Sequence, residues 1–179
     1  FLHGASDFNV MQGDTLRDPK ILQGGNIAKF DCVIANPPFS LENWGATEWS
    51  SDKYKRNIYG TPSDSCGDYA WIQHMICSMS SGKGRMAVVM PQGILFRGNQ
   101  EAEIRKQLVE SDLIEAVVTL GDKLFYGTGL SPCFLIIRRM KQAHHSGRIL
   151  MIDGSKILTQ KRAQNILEEN DIDRLYSLL

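Results

Sequence analysis

The residues best equipped for chemistry in this sequence are Asn36-Pro37-Pro38-Phe39. Two consecutive prolines make a stiff turn and remove two backbone N–H donors. The Asn36 amide oxygen and the Pro37 carbonyl can then face one point as paired acceptors, and Phe39 offers a flat face for stacking. Such a pair suits a substrate carrying an aromatic or amide NH2 group, whose lone pair is delocalised and poorly nucleophilic. Holding both amino hydrogens favours a tetrahedral nitrogen and localises the lone pair as a methyl group arrives. This combines electrostatic stabilisation of the transition state with positioning, and it needs no strong general base if the proton leaves after transfer. If the amino group belongs to a base in duplex DNA, the base must first be extruded, and stacking on Phe39 would offset part of the unstacking cost. The same four residues could also merely end a strand and start a loop.

A turn of this kind needs a rigid support. Phe30 to Ala35 is a continuous apolar run, the pattern of a parallel strand buried on both faces, and it stops where the prolines begin. Asp7 to Met11 reads as a shorter strand ending at Gln12-Gly13-Asp14. Arg85 to Met90, Ile114 to Leu120, Cys133 to Ile137 and Arg148 to Ile152 are further strands. Asp68 to Ser80 is a helix, with Tyr69, Ile72, Met75, Ile76 and Met79 on one apolar face. Gln100 to Val109 is a second helix, with Ile104, Leu108 and Val109 inward. Residues 41–65 are a long polar loop, a kind that is usually functional or mobile. Gly121 to Pro132 is a glycine-rich loop, and a charged tail with helical character starts at Thr159. Strands alternating with helices predict an α/β fold with a mostly parallel sheet, whose ligands sit beyond the carboxyl ends of the strands. Asp14, Asn36 to Phe39, Pro91 to Phe96 and the loop after Leu120 occupy such positions.

The composition narrows the classes. The chain has 179 residues, 20 basic and 20 acidic side chains, and no formal net charge. With 42% apolar and 22% charged residues it is an ordinary globular sequence, not a disordered one. No apolar run is long enough for a membrane span, and no signal sequence is visible. Zero net charge argues against a stand-alone, non-specific nucleic-acid binder, but not against a nucleic-acid enzyme whose partners supply phosphate contacts. Cys32, Cys66, Cys77 and Cys133 are irregularly spaced, with no Cys-x-x-Cys pair. Cys32 and Cys133 read as small hydrophobes within strands, and a reducing, cytoplasmic compartment fits. No metal site is expected, since His144-His145 reads as a solvated turn.

The order and spacing of several blocks resemble the amino-methyltransferases, and specifically the DNA adenine-N6 methyltransferase (M) subunits of type I restriction-modification systems. The blocks are Leu2-His3-Gly4, Gly13-Asp14-Thr15-Leu16, Phe30 to Phe39, Gly67-Asp68-Tyr69-Ala70-Trp71-Ile72-Gln73-His74, Gly84 to Phe96, and Phe125-Tyr126-Gly127-Thr128-Gly129-Leu130. The resemblance implies a Rossmann-like methyltransferase sheet, S-adenosyl-L-methionine as donor and adenine in DNA as acceptor. It also implies a specificity (S) subunit that reads the sequence and a restriction (R) subunit in the larger assembly. By the same resemblance Asn36, Pro37, Pro38 and Phe39 hold the target adenine, and Asp14 contacts the adenine ring of the donor. An aspartate in that place is otherwise a turn residue or helix cap. Phe125 or Tyr126 would sandwich the flipped base from the other side, ordinary strand-end packing being the alternative. Lys53, Lys55 and Arg56, which follow the substrate turn, are candidate phosphate contacts. Arg138-Arg139-x-Lys141 fits a solvated strand end better.

One departure from the family is pronounced. Its donor-binding glycine motif follows the first strand, and no strand–Gly-x-Gly–helix unit occurs here. Gly82-x-Gly84 precedes a strand, and Gly127-x-Gly129 lies in a loop before one. The acidic residue expected to bind the donor ribose is missing too. The chain opens on Phe1 and reads as the later part of a catalytic domain. Residues 1–156 would then form a partial catalytic domain and 157–179 a helical tail. The sheet is expected to be incomplete, with the segment near Phe8 misplaced, edge-paired or mobile and one edge of the Asp31 strand exposed. Weak donor binding and poor or no methylation by the chain alone follow from that expectation. Other readings remain open at this stage. One is a non-catalytic interaction domain that retains half of the fold. Another is amino-methylation of cytosine N4, a protein glutamine or an RNA base. Ser131-Pro132-Cys133 could suggest a C5-cytosine nucleophile, but Cys133 opens an apolar strand and should be inert.

Overall fold

The computed structural model describes residues 7–125, 129–162 and 164–179. A small antiparallel hairpin, β1 (Leu22–Gln23) and β2 (Asn26–Ile27), precedes β3 (Cys32–Ala35). The chain continues through α1 (Ala46–Ser50), α2 (Asp68–Ser78), β4 (Arg85–Pro91), α3 (Asn99–Glu110), β5 (Ile114–Leu120), β6 (Pro132–Arg138), β7 (Leu150–Gly154) and α4 (Glu169–Tyr176). The main sheet has five strands in the order β3-β4-β6-β5-β7. β3 pairs parallel to β4, and β5 parallel to β7, while β6 runs antiparallel to both β4 and β5. Four strands therefore share one direction, and β6 alone is reversed. The turns after β3 and β4 consequently lie at the same end of the sheet.

The apolar runs form strands because each finds an apolar layer. On one face Met86, Val88 and Met90 of β4 meet Leu135 and Ile137 of β6 and the helix residues Ile72, Met75, Ile76, Ile104 and Leu108. Ile72 and Ile76 have no exposed surface, and each contributes about 1.5–3 kcal/mol on the usual scale of side-chain burial. On the other face Val118, Leu120 and Ile152 are covered by Ile157 and by Leu175 of α4. A capping box between Glu168 and Asp171 starts α4. No helix among the described residues is long and apolar enough to cross a membrane.

Several expectations need correction. Residues 7–11 form no strand, and Val10 is 80% exposed. The β3 segment is not buried on both faces. Val33 and Ala35 pack on the α2 side, but Cys32 is exposed and Ile34 is 76% exposed. Among the described residues β3 is an edge strand with one neighbour, and its second face is exposed at Cys32 and Ile34. Val109 points outward, because the buried row of α3 follows Ile104 and Leu108, four residues apart, and Val109 lies about 100° further round. The segment of residues 41–65, read as a long polar loop, is more ordered than that reading. It carries α1 and buries Trp44 and Trp49 with Leu16 and Ala70 in a core of its own. Gly67 makes this packing possible, since a Cβ there would lie 2.9 Å from the Trp44 side chain.

Candidate active site

The end of β3 delivers Asn36 directly into solvent. Asn36 is exposed, and its side-chain amide takes no hydrogen bond from the described residues. Pro37 is buried and anchors the turn, Pro38 is exposed and Phe39 is half-buried. No described backbone group donates to the Pro37 carbonyl. Both oxygens of the pair read from the sequence are therefore uncommitted among the described residues. Ser40 closes the turn with φ 50°, a left-handed value that residues other than glycine seldom take. A groove of about 640 Å3 lies elsewhere, lined by Arg85, Arg138, Arg148 and Tyr176 among others.

Phe125, from the loop after β5, meets Phe39 with ring centroids 6.2 Å apart and planes at 81°. The structure thus brings these two candidates together, edge to face rather than parallel. Tyr126 lies outside the described residues. Asp14 is exposed, and its carboxylate is engaged locally. Oδ1 accepts the N–H groups of Leu16 and Arg17, both at 3.0 Å, and Oδ2 pairs with the Arg17 guanidinium at 3.1 Å. Partial burial raises the pKa of Asp14, but these bonds outweigh it and hold the carboxyl below the ordinary range.

The basic run divides. Lys53 and Lys55 stand at the surface, Lys53 over the Tyr54 ring. Arg56 does not. It is 1% exposed, and its guanidinium is fully occupied. It pairs with Asp52 at 2.7 Å, donates to the carbonyls of Thr15 and Leu16, meets His74 Nδ1 at 3.2 Å and lies over the Trp49 ring. Phosphate contact needs an accessible guanidinium, so the structure places Arg56 in the scaffold instead. Arg138 and Lys141 are likewise paired, with Glu115 and Asp112, and Arg139 donates to the Ile76 carbonyl.

α2 organises all of these pieces. Asp68 accepts the Ser40 N–H, Tyr69 donates to the Ile94 carbonyl, and the Gln73 amide holds Tyr59 and Gly60. His74 faces Arg56. Burial, and then the Arg56 charge, depress the His74 pKa to about 4. Sequence reasoning assigned no role to Asp68 or Arg97, and took His74 for a packing or hydrogen-bonding residue, as its contact with Arg56 shows it to be. The available signal was the Gly67 to His74 block, which places polar groups on a helix otherwise apolar. Burial pushes the Cys133 thiol up to about 12, which leaves it un-ionised and unsuited to nucleophilic attack.

Across its whole length, residues 1–179, the chain matches the model of the N-6 DNA methylase family. The chain belongs to that family. It is 34% identical to the methylase subunit of type I restriction enzyme MjaVII from Methanocaldococcus jannaschii, over 97% of this chain and 31% of that protein. It is 32% identical to the HindI methylase subunit of Haemophilus influenzae, over 84% of this chain and 32% of that protein. Among solved structures it resembles the type I restriction-modification methyltransferase subunit from Streptococcus thermophilus, with a TM-score of 0.81 and 29% identity over 91% of this chain and 34% of that one. The EcoKI M protein shares the fold, with a TM-score of 0.67 at 22% identity. The sheet is an incomplete Rossmann-like methyltransferase sheet. The chain spans about a third of the length of the curated relatives it matches.

Proposed function

We propose that this chain supplies the adenine-holding part of a DNA adenine-N6 methyltransferase, the modification subunit of a type I restriction-modification system. The observation that carries this reading is the turn of exposed Asn36 and buried Pro37, held at both ends, whose acceptor oxygens take no hydrogen bond from the described residues. In this reading Asn36 Oδ1 and the Pro37 carbonyl accept the two N6 hydrogens of an extruded adenine, and the ring stacks on Phe39. Pro38 keeps the turn stiff, so the acceptors are in place before the base arrives. Little reorganisation is then needed as the nitrogen becomes tetrahedral. Phe125, edge to face on Phe39, would border the base site. Lys53 and Lys55 are left to meet phosphates, and Arg56 supports their loop.

S-adenosyl-L-methionine would supply the methyl group when bound. The residues present fit it only in part. Asp14 remains ionised and exposed, and can accept from the amino group of the donor. The described residues contain no glycine cradle, and the two oxygens of Asp14 already serve its own turn. The chain alone should therefore bind the donor weakly. DNA, a specificity subunit and a restriction subunit complete the proposed assembly, in the cytoplasm. An inert interaction domain is the competing outcome.

The test is nucleoside mass spectrometry of duplex DNA incubated with donor and the modification subunit carrying this chain, together with its specificity subunit. N6-methyldeoxyadenosine is expected, and its rate of formation should fall about hundredfold with Asn36→Ala. N4-methylcytosine, or label only in protein or RNA, would overturn the assignment.

A further inference from the structure

We infer that Asp68 is the positioning residue that sets where the substrate turn stands. This inference rests on the proposed role of that turn. Asp68 has no exposed surface, yet it carries a carboxylate, so its oxygens must be supplied with donors. Oδ1 accepts the Ser40 N–H at 2.7 Å. Oδ2 pairs with the Arg97 guanidinium and accepts from Cys66 Sγ at 3.4 Å. Arg97 in turn holds Glu101 of α3 at 2.6 Å. Cys66, Asp68 and Glu101 offer ligand atoms within 4.8 Å of one another, but Arg97 already serves as their cation.

The placement matters because of what lies between the two ends of the turn. Asn36 follows Ala35, which is fixed in the β3–β4 ladder opposite Val88. Four residues later Ser40 is fixed by Asp68, and the next carbonyl, of Leu41, accepts the Gly67 N–H at 2.9 Å. Two of the intervening residues are prolines with fixed φ. A segment this stiff, held at both ends, has little freedom, so the Ser40 bond sets the direction of the Asn36 and Pro37 oxygens. Asp68 sits in the first turn of α2, where the helix dipole favours its charge. Through Arg97 and Glu101 the same carboxylate ties the turn after β3 to the segment after β4, two strand ends that must move together.

Three variants separate this role from a general contribution to folding. Asp68→Asn keeps an acceptor for Ser40 and loses the charge. Asp68→Ala loses both, and Arg97→Gln loses only the ion pair. Amide hydrogen exchange on the 179-residue chain reads the Ser40 bond without donor or DNA. Asp68→Ala should speed exchange at Ser40 by about tenfold or more, while Asp68→Asn and Arg97→Gln leave it protected. In methyl transfer by the assembled enzyme, Asp68→Ala should lower kcat about hundredfold with KM for the donor nearly unchanged, and Asp68→Asn should restore most of kcat. If Asp68→Ala does not fold, Asp68→Asn decides alone, since loss of Ser40 protection in that variant refutes the assignment. Equal losses in all three variants, tracking stability, would also overturn it. Because the exchange arm needs no catalysis, it still reads the clamp if the chain proves to be inert.

Discussion

The turn of residues 13–17 and the turn of residues 36–40 are both tied to α2, but by opposite charges and with opposite results. The Asp14 turn hangs from a guanidinium: Arg56, braced by Asp52 and His74, takes the carbonyls of Thr15 and Leu16. Its own carboxylate is spent within the turn. The Asn36 turn hangs from a carboxylate, Asp68, and its Asn36 and Pro37 oxygens take no hydrogen bond from the described residues. One turn is satisfied by the protein, and the other leaves the Asn36 amide to solvent or, in the proposed reading, to a ligand. This difference explains why the chain reads as equipped for the methyl acceptor and only partly for the donor.

The comparison can be broken from either side, and the largest effect belongs to the guanidinium. Arg56→Ala leaves the buried Asp52 carboxylate without its partner and should destabilise the chain by about 3–5 kcal/mol, read from urea unfolding. A loss below about 1 kcal/mol would show that the Asp14 turn does not hang from Arg56. Asn36→Ala should do the reverse. Removing one of two preorganised acceptors should cost about hundredfold in kcat, roughly 3 kcal/mol of barrier, with the unfolding midpoint unchanged.

The pH dependence of stability tests the His74 brace. His74 is neutral in the fold, with a pKa near 4, whereas an unfolded chain protonates it near 6.5. Between these values the unfolded state binds the extra proton. Stability should therefore be complete well above pH 6.5 and fall by about 3 kcal/mol as the pH drops toward 4. His74→Gln should flatten that slope, and an unchanged slope would place the titrating group elsewhere. The smallest effect is expected at Ile34→Ser, on the bare face of β3, which should change stability by less than about 0.5 kcal/mol in this chain. A larger loss would mean that this face is covered.

The fold was legible where local and tertiary signals agreed. β4 and β5 were readable because apolar runs end at a proline or glycine and find an apolar layer on at least one side. β3 carried the same signal, but its position at the sheet edge is a property of the whole sheet and not of Cys32 or Ile34. Asn36 to Phe39 was readable because proline geometry is local. Arg56 was not, since a basic run in a polar loop looks solvated, and only the approach of Thr15 and Leu16 takes it inside. The nearby Asp52, four residues back, and Trp49 were the residues that hinted at burial. Asp68 was hidden for another reason: an aspartate in the first turn of a helix already has an adequate local explanation.

The most direct test is a crystal structure of the modification enzyme carrying this chain, bound to duplex DNA and a donor analogue. The account predicts an extruded adenine stacked on Phe39, with N6 about 3 Å from both Asn36 Oδ1 and the Pro37 carbonyl oxygen. A target base lodged elsewhere, with those two oxygens facing water, would contradict it.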